Sequence, residues 1–143
     1  MVKHRAACWL VLLLRVAGTT MLLALAGVFM PVSWMAAVHE WLDLGPFPQG
    51  PIVEYLARSL SFFYAVMGAF LWLLATDLTR YAVPVVLMAW VSIIGGLGVL
   101  LLDLYLGLPL SWSLTEGPFT IAMGVMILLL LRRSVPRDGP TSG

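Results

Sequence analysis

Six side chains have types and spacing that could do chemistry: His39, Asp43, Glu54, Arg58, Asp103 and Glu116. "HEWLD", residues 39–43, puts His39 and Asp43 four apart on one helix face beside Glu40. Its outline is that of a zinc helix, in which two histidines one turn apart bind the metal and a glutamate acts as base. Here the second ligand position is Asp43, and the only other histidine is His4. A zinc hydrolase site therefore lacks its nitrogen ligands. An oxygen-rich set of His39, Asp43 and Glu116 is the remaining metal arrangement, and the metal is unknown. His39 can also simply pair with Asp43 one turn on.

Glu54 and Arg58 are likewise one turn apart and can form an ion pair. If Asp103 and Glu116 reach the same depth, one arginine faces three carboxylates. Such a surplus must hydrate, keep a proton or bind a cation, so the ligand class would be a cation, a proton or an amine. The structural alternative is a buried Arg58–Asp103 pair that fixes helix register, with the glutamates in a wet rim. At ~4 Å and an effective dielectric near 20, such a pair is attracted by about 4 kcal/mol, which offsets much of its desolvation.

The elements that would position these groups follow from composition. Hydrophobic residues make up 62% of the 143 residues, charged residues 10%, and the mean hydropathy is +1.01. Lipid is the solvent such a chain requires, and its apolar blocks of about 20 residues match the ~30 Å hydrocarbon core. The expectation is an all-α integral membrane four-helix bundle with spans at about 11–30, 55–75, 82–106 and 115–131, forming one domain over 1–134. The basic start resembles a leader, but its apolar run is interrupted by Arg15 and continues to Phe29, so it reads as a retained span. Arg15 can carry its guanidinium back to the headgroups along its own stem. Pro84 and Pro118 are placed in the first turns of the third and fourth spans. Between the first two spans, Trp34, Val38, Trp41 and Leu42 oppose Ser33, Glu40 and Asp43 at helical spacing, which predicts a short outer interfacial helix at about 33–43. The tail, 135–143, is polar and rich in Pro and Gly, and is expected to be a disordered cytoplasmic segment.

With four spans, seven of the eight Lys and Arg residues share one side and only Arg58 lies on the other, while Glu40, Asp43, Glu54, Asp103 and Glu116 lie with it. Positive-inside asymmetry then places both termini in the cytoplasm and the protein in an inner membrane. The short "ATDLTR" turn predicts that the second and third spans are packed antiparallel neighbours. Small and polar residues recur in stripes: Glu54, Arg58, Ser61, Ala65, Gly68 and Trp72; Ser92, Gly96, Val99 and Asp103; Glu116, Thr120 and Gly124; Thr20, Ala24 and Gly27. Pointed at a common axis, they would close a compact bundle and gather the charges.

A faint internal echo, "LDLGPFPQGPIVEY" against "LDLYLGLPLSWSLTEGPF", suggests repeated hairpins. The single cysteine, Cys8, permits no intrachain disulfide. There is no phosphate loop, no CxxC, no nucleophile elbow and no basic stripe for nucleic acid, and no cofactor is implied. At "EYLARSLSFFY" and "TEGPF" the chain resembles small uncharacterised four-span bacterial membrane proteins, over about Arg15 to Arg133. That resemblance implies a bacterial inner-membrane location and no activity. In outline the chain also looks like the small multidrug transporters, but their first-span glutamate has no counterpart within residues 16–30.

The expected function is therefore that of a non-enzymatic multi-pass membrane protein. Its partners would be the lipid bilayer, a membrane protein or a further copy of itself. A small carrier using the outer acidic cluster is the alternative, and a membrane enzyme with an outer polar site the second.

Overall fold

The computed structural model describes residues 2–134, with side chains from His4 onward, so the expected tail lies outside the described residues. The described residues are all-helical: α1 (Val2–Leu23), α2 (Leu25–Phe29), α3 (Val32–Trp41), α4 (Pro51–Leu74), α5 (Ala82–Leu106) and α6 (Leu110–Ser134). Four runs are long and apolar enough to cross a membrane: His4–Phe29, which joins α1 and α2, and the whole of α4, α5 and α6.

Local chemistry sets the boundaries. Gly50, at φ 138°, turns the chain into Pro51, and its carbonyl accepts from the N–H groups of Val53 and Glu54. Glu54 then sits in the first turn of α4, where a carboxylate is favoured by the helix dipole. At the opposite end, Asp77 Oδ1 accepts from the N–H groups of Thr79 and Arg80, both at 3.0 Å, and folds the link into α5. Helix α5 stops at Gly107 in the left-handed region; the Leu108 N–H reaches the Asp103 carbonyl and the Gly107 N–H that of Leu104. That is a Schellman motif. Helix α3 stops the same way around Asp43, at φ 58°, with the Leu44 N–H on the His39 carbonyl and the Asp43 N–H on that of Glu40. The two LDL segments are therefore not equivalent. The first straddles a helix end, whereas the second lies inside α5.

Pro118 is not in a first turn. Helix α6 opens at Leu110, eight residues earlier, because Pro109 offers its carbonyl to the N–H groups of Trp112 and Ser113. The proline stands inside the helix and leaves the Leu114 carbonyl without its usual donor.

The long helices pack in the order α4, α1, α6, α5, with α2 continuing the α1 contact along α4. The expected packing of the second span on the third does not occur: α4 and α5 are joined by a short turn but do not pack along their length. Close backbone approach decides this. A methyl group on Gly68 would stand 2.5 Å from the Gly18 carbonyl oxygen, and one on Gly27 would meet Ser61. Across α5 and α6, a methyl group on Gly117 would meet the Gly96 carbonyl and Leu100, and one on Gly124 the Ala89 carbonyl. Small residues pair helices by letting their backbones touch, and here they pair α1 with α4 and α5 with α6. The two pairs meet in a core of Leu10, Leu14, Leu71, Leu74, Ala75, Val85, Ala89, Ile127 and Leu131. These residues lie toward the end that carries Arg5, Arg80, Arg132 and Arg133, called the basic end below. The acidic end carries Glu54, Asp103 and Glu116.

Candidate functional site

The six candidate side chains are divided among separate contacts rather than gathered. On α4, the Arg58 guanidinium donates to the Val28 carbonyl in the final turn of α2 and lies 4.0 Å from the Glu54 carboxylate. The last carbonyls of a helix have no partner within it, and a cation there is favoured by the dipole. Arg58 therefore closes the end of the first span. The Glu54–Arg58 pair expected from spacing is present and is partly open to solvent.

The Arg58–Asp103 pair does not form. The stripes of α4 and α5 face different partners, since Gly68 and Ser61 meet α1 and α2 while Gly96 meets α6. Asp103 is 5% exposed, and its Oδ2 is buried without a hydrogen-bond partner. The α5–α6 register, in which Gly96 meets Gly117 and Ser92 meets Gly124, sets Asp103 opposite Ser113. Ser113 is fully buried, and its hydroxyl donates to the Pro109 carbonyl at 3.4 Å. Glu116 is half-buried on α6, within electrostatic reach of Tyr64 on α4.

His39 does not pair with Asp43. Its Nδ1 donates to the Gly45 carbonyl at 2.9 Å, which fixes the tautomer, and its ring meets Phe47 edge to face at 5.5 Å. Asp43 adopts the left-handed backbone that ends α3 and is exposed. The proposed set of His39, Asp43 and Glu116 is not assembled: among the described residues no three of His, Cys, Asp and Glu converge on a metal position.

Two features lay outside the sequence expectations. The first is a clasp between α1 and α4. Arg15 stacks over the Trp72 ring at 5.2 Å, and the indole N–H of Trp72 donates to Thr19 Oγ1 at 3.1 Å. Trp72 also lies against Gly18, whose position would not admit a methyl group. A cation over an indole face contributes about 0.5–1 kcal/mol when exposed. Gly18 breaks no stripe and falls in an apolar run, so its role shows only once Gly68 is set against it.

The second feature is a cleft of about 230 Å³ walled by all four long helices, from the middle of the spans toward the basic end. Thr20, Ser92 and Thr120 are its hydroxyl groups, and Met21, Met88 and Met123 its most flexible wall. Each hydroxyl donates to a carbonyl of its own helix: Thr20 to Val16 at 3.0 Å, Ser92 to Met88 at 2.8 Å and Thr120 to Glu116 at 2.8 Å. No ionisable residue lines the cleft.

Compared with protein-family models, with curated proteins and with solved structures, the chain matches none.

Proposed function

We propose that this is a non-enzymatic, multi-pass inner-membrane protein that acts through its helix faces on lipid, on a membrane-protein partner or on further copies of itself. The observation that carries this reading is the separation of the candidate reactive groups. Arg58 closes the first span, His39 holds the loop after α3, and Asp103 lies between α5 and α6. Among the described residues the six candidate groups do not converge, and the Cys8 thiol, 3.4 Å from His4 Nδ1, lies apart from all of them at the start of α1. The outward faces are Leu, Ile, Val, Phe and Trp, as in Leu87, Ile94, Leu101 and Phe62, which suit hydrocarbon rather than water. The basic residues at the α4–α5 turn and the ends of α1 and α6 support cytoplasmic termini by charge asymmetry. The short motifs at residues 54–64 and 115–119 support a bacterial origin by resemblance.

Asp103 supports a second reading, a carrier or binding protein for a cation or amine, because a buried carboxylate oxygen without a donor is costly. Thermal unfolding in detergent separates the two. Wild type and an Asp103→Asn/Glu116→Gln double variant are melted with divalent cations, with alkylamines and with anionic lipid. A ligand at 100 times its dissociation constant stabilises the folded state by about 2.7 kcal/mol. Equal responses of both proteins to cations and amines support the packing role. Stabilisation of the wild type alone overturns it in favour of the carrier.

A further inference from the structure

We infer that the central cleft is a binding site for a hydrocarbon chain, taken by one acyl tail of a membrane phospholipid. This rests on the membrane reading above. Ser92 and Thr120 lie close to the midpoints of α5 and α6, which puts the cleft at a depth where acyl chains are the surrounding medium. Its wall carries no charge, and its three hydroxyl protons are already given to carbonyls of their own helices. Nothing in the wall asks a ligand for an acceptor. Three hydroxyls are the only polar side chains in an otherwise apolar wall, and apolar cavities of ~150 Å³ take up apolar molecules. At about 230 Å³ the cleft is larger than that, and with no charged group in its wall it suits a stretch of methylenes rather than a headgroup. Met21, Met88 and Met123 can repack around chains of differing shape, as unbranched thioethers do.

Its origin lies in the helix order. Glycine contacts hold α4 to α1 and α5 to α6, whereas no glycine draws α1 and α6 together, and these two helices supply most of the cleft wall, with Met88 and Ser92 added from α5 and Leu71 from α4. The core at the basic end seals the floor with Leu14, Leu71 and Ile127. An acyl tail fills the gap between α1 and α6.

The test uses the full chain in vesicles of phosphatidylcholine and phosphatidylglycerol that contain a phospholipid with a diazirine at mid-acyl chain. After photolysis, adducts are mapped by mass spectrometry. The expected result is adducts on Met21, Met88 or Met123 as well as on outward-facing Val91 and Leu97. Filling the cleft by Thr120→Phe abolishes the cleft adducts and leaves the outward ones, whereas the volume-conserving Thr120→Val keeps both. Should Thr120→Phe fail to fold, judged by gel filtration in detergent, Thr20→Phe fills the cleft from the opposite wall. Adducts confined to Val91 and Leu97 in the wild type overturn the inference while leaving the membrane reading intact. Cleft adducts that survive both phenylalanine variants also overturn it. Absence of adducts at every position overturns the membrane reading with it.

Discussion

Gly68 and Gly98 are both glycines within long apolar helices, yet their surroundings are opposite. A methyl group on Gly68 would stand 2.5 Å from the Gly18 carbonyl oxygen and 2.8 Å from the Leu22 nitrogen, both backbone atoms, while one on Gly98 meets nothing within 4 Å. Gly68→Val should therefore lower stability by about 1–3 kcal/mol through overpacking. Gly98→Ala should be neutral or stabilising by up to ~1 kcal/mol. Unfolding of the two variants in detergent checks the contrast, and equal effects would refute the α1–α4 contact. Arg58→Met removes a charged donor from Val28, an effect of about 1.5–3 kcal/mol. Glu54→Gln loosens only a half-open ion pair, worth ~1 kcal/mol or less. A double-mutant cycle of Arg58→Met with Asp103→Leu should show no coupling beyond ~0.5 kcal/mol, since the two residues share no partner. Coupling of 2 kcal/mol would restore the pair that spacing suggested. Residue types and depths were legible here: Glu54 and Arg58 pair as their four-residue step requires. The place of Asp103 was not, because depth along a helix does not say which neighbour the helix will choose.

At the scale of elements, the stripes identified the packing faces but not their pairing. Ser61 and Gly68 on α4, and Gly96 and Gly124 on α5 and α6, are all at contacts. A common axis was the wrong inference from them, since each glycine contact is satisfied by one neighbour at a time. Disulfide trapping tests the pairing in a Cys8→Ser background. Gly27→Cys with Ser61→Cys should cross-link readily, as a Cβ on Gly27 would lie 3.2 Å from that of Ser61. Arg58→Cys with Asp103→Cys should not. The reverse outcome would show α4 packed on α5. Helix limits were legible at the α4–α5 turn and at Gly107, where a turn residue acts at the limit itself, whereas α4 opens at Pro51, four residues before the expected 55. Pro118 misled because a proline early in an apolar run reads as a start, whereas the polar turn before it, "LSWSLTEG", is already helical.

For the whole molecule, composition alone pointed to the all-helical architecture of the described residues, with four long apolar helices, because a run of about 20 apolar residues can satisfy its own backbone only as a helix when water is absent. Sidedness is the next property to measure. Cys8 is exposed near the start of α1 and Gln49 is exposed before α4. In right-side-out and inverted vesicles, an impermeant maleimide should reach Cys8 only from the cytoplasmic face. It should reach Gln49→Cys, in a Cys8→Ser background, only from the opposite one. Labelling of both from one face would rule out the proposed topology. The helix order also bears on how the molecule is made. Synthesis runs from α1 to α6, and by the time Leu74 has emerged, α1 and α4 already possess every residue of their mutual contact. The same holds for α5 and α6 among themselves. Each pair thus holds its own close contact, and cutting the 76–81 link should leave two fragments that find each other again, checked by their co-purification in detergent.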